Sequence, residues 1–593
     1  MSLAARMHAA VAEPSVNRPA DARSTRVWLA RSLSLVGMIY LLMLNPYWVP
    51  SGDGEVYTAI ARSLVRGEGL EFNGALAAIA PPGWPVALAG AMAILPEFWF
   101  LKLFTITCML GALGFSYLIL VRFVSPRVAA GSIVLGGTLS TVYPLTYFMH
   151  SEAFFGLVAS AALWLAFRVG ERRAGVFETV LMFVLLSAAC FTRWPGMFHL
   201  ALVLPALLCV GVREWRGRRL ALAVLACVVA MGTFGTTHTV LSLTPEQAAA
   251  ARAAGGGSDG DESGDSQRRA RRPGNDDQLP PELLNLASFN ADSPRGPLAE
   301  YAHRVSSGGH WVSWFLAQPA RFAQSFRSLH ILAGVAGWIG IILLAAAAVS
   351  GARENRWFWL GVLGYIAVLV VVWPKPTPRY LVPIAPFVLA GMFVGAAVVS
   401  RWLGRAWVGP TISALVTAFV LLTNAPLLAY DIHVFRSGER FYDRFEAGMN
   451  RELIDIAHWL HANAPDAGVA VSEKYVNLGR LRYSKYGVRA MHLLLDAPVV
   501  GVPRNGRLSR RPNGAVGIWA DANEVTYYVF QPPNNPWRVW HFRLPDSIQE
   551  KATGAPVGDH SGGWELYVRS GPSFERVTID RRVDGWPTRV PGL

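Results

Sequence analysis

Asp53 and Glu55 stand in the run Ser51-Gly-Asp-Gly-Glu-Val-Tyr57, directly after the first membrane-length apolar stretch of this 593-residue chain. Ionisable groups kept at a bilayer surface are costly to hold dry and usually have work to do. Asp53 and Tyr57 are spaced i, i+4, so a helix starting here places both on one face with Ala61 and Leu64. Asp53 then reads either as a reactive carboxylate or as a helix cap near Ser51, and Glu55 as a solvated loop charge or a substrate contact. His150-Ser151-Glu152 opens a later apolar run. Glu152 suits the positive end of a helix dipole, and equally suits general-base or cation-binding work as a second carboxylate. His150 reads as a ligand or proton carrier, or as an ordinary interfacial histidine. Cations come from two other stretches, Thr192-Arg193-Trp194-Pro195 and Trp373-Pro-Lys375-Pro-Thr-Pro-Arg379-Tyr380. Three prolines stiffen the second of these. Arginine fits phosphate bidentately and lysine adds a point charge; the alternative is anchoring to lipid headgroups. Together the groups suit a reaction between a lipid phosphate and a nucleophilic hydroxyl. The cations would hold the departing phosphate and a carboxylate would take the hydroxyl proton. The sequence carries no Walker motif, dinucleotide fingerprint, metalloprotease motif or Gly-x-Ser-x-Gly elbow, which argues against a nucleotide-driven mechanism.

Groups so scattered need a frame to bring them together, and the composition says which kind. The chain is 52% hydrophobic and 16% charged, which excludes an ordinary soluble enzyme and indicates a polytopic membrane protein. Its 21 tryptophans are expected as interfacial anchors. The net charge of +14 resides mostly in arginines of short loops between apolar runs, where they set orientation and meet anionic membrane lipids. No recognition motif accompanies that charge, so no nucleic acid is expected as partner. Cys108, Cys190, Cys209 and Cys227 all fall in apolar runs without ligand spacing, giving neither a disulfide framework nor a zinc site.

Runs long enough to cross a bilayer lie near 30–50, 98–121, 128–146, 153–169, 176–193, 196–212, 220–243, 329–350, 356–373, 380–400 and 407–429. The shorter run 83–95, after Pro81-Pro82, reads as a helix on or dipping into the surface. The polar residues 1–26 precede a run without a small-residue cleavage site, read as a retained signal anchor. Arginines at 122/127, 168/172/173, 213–219, 353/356 and 401/405 mark the cytoplasmic side. The expected fold class is therefore an all-α polytopic membrane bundle of about eleven transmembrane helices with a C-terminal soluble α/β domain. Its parts are a cytoplasmic tail (1–29), a transmembrane catalytic domain (30–429) with a first outer loop at 51–97, and an outer α/β domain (430–593). Residues 252–281 are Gly, Ser, Asp, Glu and Arg with almost nothing apolar, read as a disordered insert. In the C-terminal region a helix is expected at 451–464 and strands at 469–472, 525–530 and 564–568.

Asp53…Tyr57…Ala61…Leu64, Gly67-Glu68-Gly69 and Pro81-Pro-Gly-Trp-Pro85 are followed by Ser151-Glu152, Thr192-Arg193 and Arg379-Tyr380-Leu381 with Pro383 and Pro386. In that order and spacing, over about residues 30–400, the chain resembles the GT-C superfamily of membrane glycosyltransferases. The resemblance is nearest to the bacterial branch of dolichyl-phosphate-mannose protein mannosyltransferases and the aminoarabinose lipid A transferase. It implies an outward-facing site of the inner membrane, a polyprenyl-phosphate-linked sugar donor, and a lipid, glycan or protein acceptor. By position, Asp53 would be the general base and Glu152 a second acidic site residue. Arg193, Lys375 and Arg379 would contact the donor phosphate, with Glu55, Tyr57, His150 and Tyr380 as further substrate contacts. The second outer turn has only Glu152 in place of an acidic-x-acidic pair, so no metal ligand is assigned and use of a divalent cation stays open. The other readings are a polyprenyl-linked glycan transporter or flippase, which would use the same cations to grip phosphate, and a non-catalytic membrane scaffold. Spans almost free of internal charge favour surface chemistry over a transport pathway.

Overall fold

The computed structural model describes residues 22–49, 51, 53–72, 75–76, 81–171, 173–209, 216–242, 327–350, 353–372, 378–438, 449–472, 486–496, 499–502, 526–530, 565–570, 573–577, 579 and 588–593. The expected insert at 252–281, the tail before residue 22 and Lys375 lie outside these residues. In chain order the elements are α1 (Ala22–Leu42), α2 (Asp53–Val65), the hairpin β1 (Glu71–Phe72) and β2 (Ala75–Leu76), α3 (Gly83–Ile94), α4 (Phe98–Leu120) and α5 (Pro126–Gly137). Next come the single turn α6 (Pro144–Tyr147), α7 (Ser151–Gly170), α8 (Val176–Thr192), a 3₁₀ helix (Trp194–His199), α9 (Leu200–Cys209) and α10 (Arg216–Ser242). After the undescribed stretch follow α11 (Arg327–Ser350), α12 (Arg353–Val372), a second 3₁₀ helix (Pro378–Ile384), α13 (Ala385–Trp402) and α14 (Val408–Phe435). The last part holds α15 (Met449–Asn463), β3 (Val469–Ser472), α16 (Tyr486–Leu495), β4 (Val499–Val502), β5 (Tyr527–Phe530), β6 (Glu565–Ser570) and β7 (Ser573–Val577).

Each apolar run of the sequence carries helix. Among the described residues, six helical stretches are long and apolar enough to cross a membrane: 22–42, 98–120, 151–170, 217–237, 379–402 and 408–435. Shorter apolar helices occupy 83–94, 176–192, 195–208, 335–349 and 355–370. Two of the eleven expected spans differ in kind. The run 128–146 breaks: α5 ends at Gly137, and Pro144 opens a new turn because it cannot continue a helix. At 12 residues α5 reaches roughly 18 Å, well short of a hydrocarbon core. The run 380–400 begins as 3₁₀ helix through Pro378 and Pro383 before turning regular. Large apolar side chains such as Val228 and Met231 of α10, and Leu415 and Leu422 of α14, remain exposed, as lipid-facing positions require. Helix association in lipid draws on close packing rather than on the hydrophobic effect. Gly391 and Gly395 of α13 supply it, where a methyl group would collide with Leu344 and with the backbone of Leu343 on α11.

Two buried charges lie in the apolar helices, Lys102 inside the expected run 98–121 and Asp431 just past the expected run 407–429. Lys102 of α4 is fully buried, and its Nζ donates to Asn45 O at 3.2 Å, Asn45 Oδ1 at 2.5 Å and Tyr47 O at 2.6 Å. It caps the chain leaving α1, just before the loop that delivers Asp53. Asp431 of α14 is also buried, and its Oδ2 accepts from Tyr143 Oη at 2.8 Å and Tyr147 Oη at 3.2 Å. Two turns earlier on α14, Asn424 Oδ1 accepts the Ser140 N–H at 2.6 Å. Thus α14 holds the broken segment between α5 and α7 by its backbone and its tyrosines. Both charges are consumed by structural hydrogen bonds, which removes them as signs of a transport pathway.

Beyond α14 the expected helix and the three expected strands are present, joined by α16, β4 and β7. They form a five-stranded sheet of order β4-β3-β5-β6-β7, parallel between β3 and its neighbours β4 and β5, and antiparallel from β5 to β7. This α/β layer grips α2. Arg62 Nη1 donates to Leu493 O at 3.0 Å and pairs with Asp496 at 3.1 Å, and Arg66 pairs with the same carboxylate. A bridge between Glu97 and Arg589 ties residues 588–590 to the start of α4.

The role assigned to Asp431 has a direct check. Asp431→Leu removes the acceptor shared by two buried tyrosine hydroxyls and should lower stability by about 2–4 kcal/mol. Asp431→Asn, which keeps a carbonyl oxygen there, should lose less than half as much. Thermal unfolding of the detergent-solubilised protein distinguishes the two.

Candidate active site

The site forms where four chain turns meet. Asp53 opens α2, in the first turn, where a carboxylate is favoured by the helix dipole. The turn itself is closed locally: the Gly54 N–H donates to Ser51 Oγ at 3.0 Å, and the Ser51 N–H donates to Glu55 Oε1 at 2.6 Å. This is a reciprocal cap, with Ser51 and Glu55 each satisfying a backbone donor of the other end. Glu55 is fully buried in that role rather than solvated. Gly54 allows the turn to press against the carbonyl of Phe148, which any side chain at 54 would strike.

Glu152 occupies the first turn of α7 and is almost wholly buried. Arg193 caps the C-terminal end of α8, where a cation is favoured. Its Nη1 pairs closely with Glu152 Oε1 and donates to Ser151 Oγ at 3.0 Å. Arg379, at the start of the second 3₁₀ helix, reaches two carboxylates at once. Its Nη1 lies 2.5 Å from Asp53 Oδ2 and its Nε 3.5 Å from Glu152 Oε1. Tyr380 lies beneath both guanidinium groups, with ring centroid 5.0 Å from Arg193 Cζ and 5.7 Å from Arg379 Cζ. Ser151 Oγ donates to Tyr57 Oη at 3.3 Å, linking α2 to the Glu152–Arg193 pair. His150 Nδ1 stands 3.8 Å from Glu152 Oε2.

The structure therefore brings together Asp53, Tyr57, His150, Glu152, Arg193, Arg379 and Tyr380. Glu55 is next to the cluster but turned into the cap, and Lys375 lies outside the described residues. Ser151 was not singled out in the sequence, although it adjoins Glu152; its bridging position is visible only once α2 and α8 are in place. Asp53 and Arg379 are about one-third exposed, whereas Glu152 and Arg193 are dry. The cluster thus has an open, exchangeable pair on the solvent side and a fixed pair beneath it. Among the described residues no group of three or more His, Cys, Asp and Glu lies together as a metal site would require.

Burial is the largest influence on Tyr57, His150 and Arg193. It lifts the Tyr57 phenol to about 12, with the Asp53 carboxylate adding to the rise. Burial lowers the His150 imidazole to about 4, although Glu152 and Asp53 pull the other way. Burial works against the Arg193 cation, but Glu152 more than restores it, leaving it fully charged. With His150 neutral, two carboxylates balance two guanidinium groups.

No protein-family model matches this chain, and no curated protein is similar to it. Among solved structures it is similar to ArnT from Cupriavidus metallidurans bound to undecaprenyl phosphate. The identity is 14%, with 92% of this chain and 97% of that one covered and a TM-score of 0.49. It is also similar to the archaeal oligosaccharyltransferase AglB from Archaeoglobus fulgidus in complex with an inhibitory peptide and a dolichol-phosphate. There the identity is 13%, the coverage 85% of this chain and 69% of that one, and the TM-score 0.48. At such identities and scores no function passes from one chain to another.

The buried imidazole gives a pH test. His150 is neutral in the fold and takes up a proton in the unfolded chain below about pH 6.5, so acid favours unfolding through this group. Its contribution is intact above about 6.5 and is lost as pH falls toward 4, for a total of up to about 3 kcal/mol. Relative to His150→Asn, whose side chain does not titrate, the wild-type unfolding midpoint should fall further as the pH is lowered from 7.5 to 4.

Proposed function

We propose that this chain is a glycosyltransferase that moves a sugar from a polyprenyl-phosphate donor to a hydroxyl of a lipid, glycan or protein acceptor. The site would face the outer side of a bacterial inner membrane, with residues 430–593 on that same side. The observation that carries the reading is the convergence of Asp53, Glu152, Arg193 and Arg379 from four separate stretches, Asp53 and Arg379 being 326 residues apart.

In this reading Arg379 and Arg193 receive the donor phosphate, and Tyr380 keeps the two guanidinium groups side by side. Glu152 holds Arg193 in place and offsets the repulsion between the cations. The acceptor oxygen attacks the anomeric carbon, the carbon–oxygen bond to phosphate breaks, and the phosphate leaves with the bonding electrons. The acceptor's proton passes to Asp53, and attack from the face opposite the phosphate inverts the configuration. Asp53 is paired with Arg379 before substrate arrives. An incoming phosphate competes for that arginine, so binding the donor frees the carboxylate that must act as base. His150, neutral and beside Glu152, and Tyr57, joined to Ser151, line the floor. Lys375 is proposed as an additional phosphate contact, and Glu55 as the residue that fixes the turn bearing Asp53.

The test is sugar transfer from a synthetic polyprenyl-phosphate donor in proteoliposomes, together with binding of polyprenyl phosphate alone. Asp53→Asn should lower kcat by about 10²–10⁴-fold while polyprenyl phosphate binds as well or better, since Arg379 is released. Arg379→Ala should weaken that binding by about 10- to 100-fold through loss of charge-assisted bonds. Full transfer by Asp53→Asn would sink the assignment of the base. Flux of labelled lipid across the vesicle membrane without glycosidic product would favour a flippase instead.

A further inference from the structure

Met149 is one of two described non-glycine residues with a left-handed backbone, at φ 54°; the other is Asp496. Aspartate tolerates that region through its short polar side chain, whereas methionine has no such relief. The conformation at Met149 turns the chain into the extended His150 (φ −81°, ψ 154°), from which α7 starts at Ser151. It therefore sets where Ser151 and Glu152 point.

From outside the turn, Ser51 Oγ donates to the neighbouring Phe148 carbonyl at 3.4 Å, and a tryptophan reaches Met149 itself. Trp84 Nε1 donates to the Met149 carbonyl at 2.8 Å. Trp84 is fully buried, its ring stacked on Phe104 (centroids 5.8 Å, interplanar angle 3°) and packed on Phe154 at the same separation. The preceding residue reaches the other half of the ion pair. A methyl group on Gly83 would lie 2.7 Å from Thr192 Oγ1 and 2.9 Å from the Phe191 carbonyl, in the last turn of α8 before Arg193. The start of α3 is thus wedged between the turn that presents Glu152 and the helix end that presents Arg193.

We propose that Trp84 is a positioning residue, whose indole N–H holds Met149 in its left-handed conformation and so aims Ser151 and Glu152 at Arg193. Among the described residues its hydrogen bond goes to the Met149 backbone and its ring contacts to Phe104 and Phe154, so it acts on the site through Met149. Its effect on turnover rests on the transferase reading; its effect on the turn does not.

The experiment uses the full chain in lipid nanodiscs, with Trp84→Phe, Met149→Gly and the double variant. Phenylalanine keeps a ring to stack on Phe104 and Phe154 but has no donor. Glycine adopts the left-handed region without help. Amide hydrogen exchange over 145–153 and sugar transfer are both read. Trp84→Phe should speed exchange of the 149–152 amides by about tenfold and slow transfer by about tenfold or more, since a small misplacement is amplified at a reacting centre. Met149→Gly alone should resemble wild type in transfer. In the double variant, transfer and exchange should both move back toward wild type, by at least half of the loss on a logarithmic scale. A residue that served only as packing would show no such rescue, and a double variant as impaired as Trp84→Phe overturns the proposal. So does a Trp84→Phe protein whose 145–153 exchange equals that of wild type. If wild type transfers no sugar yet the exchange pattern and its rescue appear, the transferase reading falls and the positioning role stands.

Discussion

A carboxylate buried beside two arginines is the constraint on which the site depends. Removing Glu152 from water costs several kcal/mol, recovered only when its partners are present and correctly aimed. Arg193 meets that need from the end of α8 and Arg379 from the start of the 3₁₀ helix before α13. The buried Arg193 and the partly exposed Arg379 would repel each other without the carboxylate between them. The three charges therefore require α7, α8 and the α12–α13 turn to close on one point. Asp53 then takes the outermost place, on Arg379, which unlike Arg193 has a face left toward solvent.

The backbone favours these placements before any side chain meets another. Both carboxylates stand at helix N-termini and Arg193 at a helix C-terminus, so each charge lies at the end of the dipole that suits it. Breaks in the helices provide the termini. Had the run 128–146 continued as one span, the Phe148–Met149 turn would not exist, and α2 and α7 could not meet there. Pro144 and the glycines of α5 therefore matter to the site as much as to the fold. The buried Asn424 and Asp431 of α14 hold the broken segment in register.

Much of the frame was legible because hydropathy marks where helices run, and helix is found in every apolar run. Position along the chain also marked Asp53 and Glu152, although a helix cap and a helix dipole could each account for them alone. What the pattern could not carry was pairing across hundreds of residues. Nothing near Arg379 in sequence points to Asp53, and nothing near Arg193 points to Ser151. Glu55 was misjudged as solvated because its charge outweighed its spacing; Ser51, four residues earlier, is the partner that buries it. Lys102 escaped notice because a single charge barely lowers the mean hydropathy of a long run, and Asp431 because the helix continues past the apolar run 407–429 to Phe435. The helical breaks at Gly136-Gly137 and Pro144 were present in the sequence, but an average over 19 residues smooths them away.

The α/β layer enters the same logic through α2. Asp53 lies at one end of this helix, and Arg62 and Arg66 near the other are clasped by Asp496 and by carbonyls of 492–493 and 591–592. Nine residues of helix separate Asp53 from Arg62, roughly 14 Å of rise. At that distance the clasp makes no contact with the site's charges, yet a rigid helix transmits any tilt from one end to the other. Burial lowers the Arg62 guanidinium to about 10, with Asp496 opposing the fall, so this clasp is itself a desolvated pair that resists sliding. Placement of the Asp53 carboxylate against Arg379 is thus fixed twice, by the Ser51–Glu55 cap at its own end and by the α/β layer at the far end. In the proposed reaction the carboxylate lets go of one partner and meets another, which needs that rigidity. Its freedom should lie in the exchange of partners and not in the helix that carries it.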